Sequence, residues 1–349
     1  MTKIRRVDVL VIGGGQAGLA VGYYLKQMQR DFLILDRGRR TGETWRTRYD
    51  SLKLFTPRWF SSLPGLPLNG DREGYALKDE IANYLALYSE TFALPILHQT
   101  EVTCLTRVEE GWFIVETNRG TMAANRIIVA TGPFQNPSIP PFSKQLPGNI
   151  VQLHSSEYRN PDELQAGNAI VVGGGNSGAQ IAVELSFAGK STAISIGHHV
   201  KFLPITFLGK SIFHWMGKAG IYTCAADSPF GKWLRKQPDP IFGFELKRSI
   251  RQSLIQSYPR VVGVEGESLV FHDGRKRTFQ NIIWATGFAS DYGWIQIAGA
   301  RDEGGKPLHF RGVSPIPGLY FLGLPWQRNR SSALLGGVGE DARYIVHYM

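Results

Sequence analysis

Two runs of glycine in this chain have the spacing that holds a diphosphate. Gly13-Gly14-Gly15-Gln16-Ala17-Gly18 and Gly173-Gly174-Gly175-Asn176-Ser177-Gly178 both read G-x-G-x-x-G. Glycines there let the backbone turn sharply and approach a pyrophosphate, and the helix that follows offers unpaired N–H groups and a partial positive charge. Gly13, Gly15, Gln16, Ala17 and Gly18 are therefore candidate contacts of one dinucleotide, and Gly173, Gly175, Asn176, Ser177 and Gly178 of another. Asn176 and Ser177 add polar side chains within reach of phosphate or ribose. Past the first motif, Asp36 ends the run Asp31-Phe32-Leu33-Ile34-Leu35. A carboxylate there accepts hydrogen bonds from the ribose hydroxyls of an adenosine and repels a 2′-phosphate, so the first site suits FAD or NAD. After the second motif, Ser191–Ile196 runs into Gly197-His198-His199-Val200-Lys201 with no carboxylate. His198, His199 and Lys201 can meet a 2′-phosphate, so that site admits NADPH, and NADH as well. Two dinucleotides in one chain imply electrons passing between them.

The elements around these residues follow from their patterning. In each copy a β-branched apolar run, Val7–Ile12 or Ala169–Val172, precedes the glycines, and an apolar-periodic segment follows, which reads as strand, tight turn and helix. The expected fold is α/β, with two Rossmann-like dinucleotide-binding domains. Residues 78–90 have helical spacing, with Ile81, Tyr84, Leu85 and Tyr88 on one face. Residues 101–108, 112–117 and 126–130 read as a meander with a turn at Glu109-Glu110-Gly111. That meander runs into Ala130-Thr131-Gly132, and the same A-T-G returns at Ala285-Thr286-Gly287 after a second β-run. A recurrence at equivalent points fits a chain passing from one domain to the other and back. The expected division is 1–165 with 286–349 for the first nucleotide and 166–285 for the second. An aromatic-rich insertion at about 202–258 is a candidate for a cap over the active site, a membrane-surface contact or a homodimer interface.

Composition narrows the class. The chain has 349 residues with 40 glycines and a net charge of +10 from 39 Lys+Arg against 29 Asp+Glu. The basic residues are scattered and no nucleic-acid-binding motif stands out, so a small anionic ligand is expected rather than a nucleic acid. There are 2 cysteines, Cys104 and Cys224, and no C-x-x-C. Dithiol chemistry is not expected, and a reducing cytoplasm is the natural setting. Lys3, Arg5 and Arg6 precede an apolar run as in a signal peptide, but that run contains Asp8 and passes straight into the glycines. No apolar stretch approaches the roughly 20 residues of a membrane helix.

Several stretches carry a resemblance. The first glycine motif, Asp36, Gly42-Glu43-Thr44-Trp45, Ser51-Leu52-Lys53-Leu54-Phe55-Thr56-Pro57, Phe60-Ser61-Ser62-Leu63-Pro64 and the closing Pro317-Gly318-Leu319-Tyr320-Phe321 with Leu334-Leu335-Gly336-Gly337 look like flavin-containing monooxygenases. The closest likeness is to a bacterial branch that also resembles the plant YUCCA-type enzymes. The segment from Gly148 through His154 to Tyr158 is similar to the family's monooxygenase fingerprint, with Leu146 in place of its Phe and a longer Gly-to-His spacing. The resemblance implies a disulfide-reductase-like architecture in which the NAD(P)H domain is inserted into the FAD domain. It implies FAD contacts from Arg37, Glu43, Thr44, Trp45, Leu54, Thr56, Val102, Ala130, Thr131, Gly132, Ser332 and Leu334, and a further contact from Thr286. For His154 a structural role joining the domains is expected, with direct catalysis as the alternative. The implied reaction uses NADPH to reduce the flavin and O₂ to form a flavin hydroperoxide that oxygenates a small molecule at sulfur, nitrogen or a ketone. Uncoupled NAD(P)H oxidation and slow redox sensing are the alternatives. Relatives that oxidise nitrogen and sulfur often carry an asparagine where this chain has Phe55-Thr56-Pro57, and many NADPH users carry an arginine where it has His198-His199.

Overall fold

The computed structural model describes residues 4–108 and 111–349. Two parallel-stranded layers organise them. In the first, the strands Arg5–Ile12, Phe32–Leu35 and Ile96–Leu97 lie side by side in parallel, and Gly120–Val129 pairs with Arg5–Ile12 on its other edge. Antiparallel Phe113–Thr117 and Val102–Arg107 extend the sheet, and Leu319–Phe321 from near the C-terminus, which pairs in parallel with Gly120–Val129, brings it to 7 strands. The second layer has 5 strands, in the order Val151–His154, Asn281–Trp284, Ala169–Val172, Thr192–Ser195, Ile255–Tyr258, all parallel.

Burial on both faces explains why the two central strands are apolar without alternation. Val9 and Val11 belong to one core cluster, while Leu10 and Ile12 belong to the cluster on the opposite face. Ala169 and Val171 face one cluster of the second layer, and Ile170 and Val172 face the other. The helix Lys78–Thr91 buries Ile81, Tyr84, Leu85 and Tyr88, as its spacing predicts. Its tyrosines are tied to the Pro-rich loop beside it, Tyr84 Oη donating to Leu66 O and Tyr88 Oη to Pro64 O, both at 2.7 Å.

Three expectations change. The last strand of the meander begins at Gly120, well before Arg126, and Glu109 and Glu110 of the expected turn lie outside the described residues. The second β-run, before Ala285-Thr286-Gly287, is short: only Asn281–Trp284 enters the parallel sheet, while Lys276–Thr278 just ahead of it joins a small antiparallel one. The insertion is also shorter than 202–258. Its last part, the helix Glu245–Arg251 and the strand Ile255–Tyr258, completes the parallel sheet next to Thr192–Ser195. A parallel neighbour needs a crossover connection, so this helix and strand belong to the second layer.

The part that departs from the sheet holds the short strands Phe202–Leu203 and Ile241–Phe242, the hairpin Thr206–Phe207 with Lys210–Ser211, and the helices Ile212–Lys218 and Pro229–Arg235. Its own core is Phe213, Met216 and Tyr222.

Candidate active site

Both glycine motifs are built alike. Gly13 and Gly173 take left-handed backbone, φ +109° and +132°, which favours glycine. A Cβ on Gly13 would lie 2.5 Å from Ala130 O, and one on Gly173 2.2 Å from Ala285 O. The recurrent A-T-G thus has a structural purpose: each alanine ends a strand beside the glycine strand, with Ala130 N–H donating to Ile12 O at 2.8 Å and Ala285 N–H to Val172 O at 2.9 Å. The third glycines let helix and turn close up, since a Cβ on Gly18 would be 1.9 Å from Gly13 O and one on Gly178 2.1 Å from Gly173 O. The middle glycines differ. A Cβ on Gly15 or Gly175 would meet no protein atom within 4 Å, so both face open space at the start of the helices Gln16–Gln27 and Asn176–Phe187. Each cradle therefore fits a pyrophosphate.

The two sites diverge at the end of the second strand. Gly13 N–H donates to Leu35 O and Gly173 N–H to Ser195 O, which makes Asp36 and Ile196 equivalent positions. Asp36 Oδ2 accepts from Gly14 N–H at 2.6 Å and Oδ1 from Gly38 N–H at 2.7 Å, so the carboxylate braces the loop and keeps lone pairs for a ribose. Ile196 packs its Cγ2 against Gly174 and offers neither charge nor acceptor. Arg37 beside Asp36 is exposed.

Around the first cradle, Glu43, Thr44 and Trp45 lie on the short helix Glu43–Arg46, entered through left-handed Gly42. Arg40 Nε donates to Glu43 Oε2 at 3.1 Å, Thr44 is exposed and Trp45 packs on the core. Leu54 and Thr56 are buried on the strand Lys53–Pro57, with Thr56 Oγ1 2.8 Å from Ser61 Oγ. The C-terminal loop reaches the same place. Gln16 Nε2 donates to Ala333 O at 2.8 Å, Ser332 Oγ accepts from Arg328 N–H and Asn329 N–H, and Leu334 precedes the helix Leu335–Tyr348. A Cβ on Gly336 would lie 1.8 Å from Phe60 O, so this helix start presses on the loop after Lys53–Pro57. Val102 sits apart, half-buried at the start of its strand. Thr131 Oγ1 accepts from Gln135 Nε2 at 3.0 Å, and Gly132 is left-handed with open space around it.

Around the second cradle some side chains are already engaged. The Asn176 amide donates to Pro240 O and accepts from Phe242 N–H, both at 3.0 Å, so it fastens the inserted segment to the helix start. Lys201 Nζ donates to Gln237 Oε1 at 3.1 Å, and Thr286 Oγ1 donates to Ser138 O. His198 and His199 are exposed.

His154 is fully buried where the chain crosses between the layers. Its Nδ1 lies 2.8 Å from Ser156 Oγ and its Nε2 2.9 Å from Gly287 O, with Phe288 edge-on at 4.9 Å. Burial holds its pKa below the ordinary 6.5, a repulsive Arg48 adds to this, and Gly287 O and Glu157 oppose it. A depressed folded pKa costs nothing while the imidazole is neutral in both states. As pH falls through about 6.5 only the unfolded chain gains the proton, so stability drops. We expect His154→Gln to flatten the fall of Tm between pH 7 and pH 5 in thermal melts; an unchanged slope would place the acid sensitivity elsewhere.

Arg48 was not singled out by the sequence. Its guanidinium lies 5.4 Å from the Phe134 ring and 5.0 Å from the Phe288 ring, so the aromatic residue after each A-T-G closes on one cation. The second A-T-G-Phe and the first A-T-G-Pro-Phe were visible signals, but nothing local pointed to Arg48 as their shared partner.

A family model described as pyridine nucleotide-disulphide oxidoreductase matches residues 10–201. The chain belongs to that family. It is 54% identical to a CzcO-like oxidoreductase of Geobacillus kaustophilus over 98% of this chain and 97% of that one. It is 28% identical to the probable indole-3-pyruvate monooxygenase YUCCA10 of Arabidopsis thaliana, over 97% and 96% of the two chains. Among solved structures, a flavin-containing monooxygenase from Stenotrophomonas maltophilia superposes with TM-score 0.81 at 28% identity, covering 99% of this chain and 98% of that one. This oxidoreductase is thus a flavin-dependent enzyme of the flavin-containing monooxygenase group. Cys104 and Cys224 are free, so the disulfide chemistry in the family description has no paired cysteines to work with here. Among the described residues no helix is long and apolar enough to cross a membrane.

Proposed function

We propose that this chain is an FAD-dependent, NADPH-consuming monooxygenase that places one oxygen atom of O₂ on a small molecule at a soft sulfur or nitrogen, or at a ketone. The observation that carries this reading is the divergence of two otherwise matched cradles, with Asp36 at one and Ile196 at the other. FAD belongs at Gly13–Gly18, with Asp36 on its ribose, and NADPH at Gly173–Gly178. We assign 1–165 and 286–349 to the FAD-binding unit and 166–285 to the NADPH-binding unit. When bound, FAD accepts hydride from the nicotinamide and, once reduced, activates O₂ for transfer of one oxygen atom.

The chain's own residues supply binding, orientation and exclusion of water. Asp36 stiffens the first cradle through Gly14 and Gly38, and Gln16 Nε2, donating to Ala333 O, holds the start of the helix Leu335–Tyr348 beside it. The inserted segment packs its Phe213 and Tyr222 on Phe55, Phe60 and Leu334, beside the expected FAD contacts Leu54, Thr56 and Leu334 itself. Phe55 stacks on Phe242 at 4.5 Å and Phe213 on Tyr222 at 4.8 Å. Further ties run from Arg330 to Asp239, from Arg311 to Asp227 and from Tyr75 Oη to Ile205 O. An aromatic lid held at both ends favours the cap among the three roles open to this segment, since a cap excludes water from the reacting atoms.

The test follows NADPH loss and hydrogen peroxide release together across sulfides, amines and ketones. For one of these classes peroxide should fall well below NADPH consumed as oxygenated product accumulates. Peroxide equal to NADPH for every compound would make the chain an oxidase, and negligible NADPH oxidation would make it a slow sensor.

A further inference from the structure

The strand end at Ile196 lacks both the carboxylate that rejects a 2′-phosphate and an arginine that grips one. The internal repeat shows where the cation comes from. Asp36 N–H donates to Leu97 O in the first layer, and the equivalent Ile196 N–H donates to Tyr258 O in the second. Leu35 pairs with Leu97 and Ser195 with Tyr258, so the registers agree. Counting on from Leu97 and Tyr258, Gln99 and Arg260 occupy equivalent places, each two residues past the neighbouring strand. In the first layer Gln99 N–H donates to Gly38 O, in the loop that begins at Asp36. In the second layer Arg260 lies over the same loop, and a Cβ on Gly197 would be 2.7 Å from its Nε.

We propose that Arg260 is the residue that reads the 2′-phosphate of NADPH, delivered from the adjacent strand. This rests on the assignment of the nicotinamide nucleotide to Gly173–Gly178. Three features of this strand end converge on it. The absence of a side chain at Gly197 lets the guanidinium lie against the strand end. Ser195 Oγ donates to Pro259 O at 2.8 Å, which holds the turn that carries Arg260 beside that end. The side chain of Arg260 is exposed and is paired with no carboxylate among the described residues, so its five donors are free for a phosphate. His198 and His199 flank the same place, whereas Lys201 is turned toward Gln237 in the inserted segment. The cation next to the phosphate is therefore the arginine of the neighbouring strand, with the histidines beside it.

Arg260 is a specificity residue, and its test separates the phosphate from the rest of the nucleotide. Calorimetry on the flavin-loaded protein would use 2′,5′-ADP and 5′-AMP as probes. Arg260→Gln, which copies Gln99, should weaken 2′,5′-ADP by about tenfold or more and leave 5′-AMP within about twofold, and Arg260→Lys should recover part of the loss. In kinetics the KM for NADPH should rise by a similar factor, about tenfold, with the KM for NADH and both kcat values unchanged. Equal losses for the two probes, or an unchanged 2′,5′-ADP affinity, would overturn the role of Arg260. If the unaltered protein binds neither probe and neither NADPH nor NADH reduces its flavin, the site assignment itself fails, and the proposal with it.

Discussion

Gly15→Ala should give a folded protein that no longer retains FAD, whereas Gly175→Ala should keep its flavin and lose reduction by NADPH. The contrast rests on what each added methyl group would meet. Gly15 has φ −77° and ψ −170°, and Gly175 φ −88° and ψ 178°, both in the extended region that alanine adopts freely. Neither Cβ would find a protein atom within 4 Å. The apoprotein should therefore be as stable as the parent, or slightly more so, because alanine restricts the unfolded chain. In each case the methyl projects into the space where a pyrophosphate must approach backbone N–H groups. Loss of two charge-assisted hydrogen bonds, at about 1.5–3 kcal/mol each, corresponds to binding about 100-fold weaker or more. Absorbance of the purified protein reads the first variant. For the second, anaerobic mixing with NADPH and then with dithionite reads reduction separately from flavin content. If Gly15→Ala purified with full flavin, FAD would not belong at Gly13–Gly18. Alanine at Gly18 or Gly178 would be a poorer probe, since its Cβ would collide with the carbonyl of Gly13 or Gly173 and disturb the fold without any ligand.

The second large effect concerns the cap. Phe213 is 1% exposed and touches Phe55, Phe60, Tyr222 and Phe242, so it is the centre of a small cluster rather than part of the main cores. Removing a buried phenyl ring costs about 3–5 kcal/mol. Here that loss should fall on local opening of the inserted segment, because the two sheets have their own cores. Phe213→Ala should keep its FAD and be cut by protease within the cap about 100-fold faster than the parent, the factor that roughly 3 kcal/mol of lost local stability implies. More of the NADPH it consumes should end as hydrogen peroxide, since water reaches the reacting atoms. Phe213→Leu, which keeps an apolar filling, should show smaller changes in the same direction. Cleavage at the parental rate would mean that this cluster does not hold the cap closed.

The sequence by itself determined the two nucleotide cradles, because their requirements are local. A turn that needs left-handed backbone, an approach that tolerates no Cβ and a helix start within a few residues leave their mark in consecutive positions. Asp36 was readable for the same reason, as the residue that ends a short apolar strand. The helix over Lys78–Thr91 followed from its period. What only the tertiary structure decided involves residues far apart in the chain. The true extent of the insertion depended on whether Ile255–Tyr258 pairs beside Thr192–Ser195, and pairing between distant strands leaves no spacing to read. Asn176 and Lys201 look free in the sequence, yet folding turns their polar atoms toward Pro240, Phe242 and Gln237. Arg48 acquires meaning only when Phe134 and Phe288 meet on it, and Arg260 only when parallel register brings the end of one strand against Gly197. In an open parallel sheet a ligand lies across the ends of adjacent strands, so the strand that carries the glycines sets where it binds and its neighbours set which one is accepted.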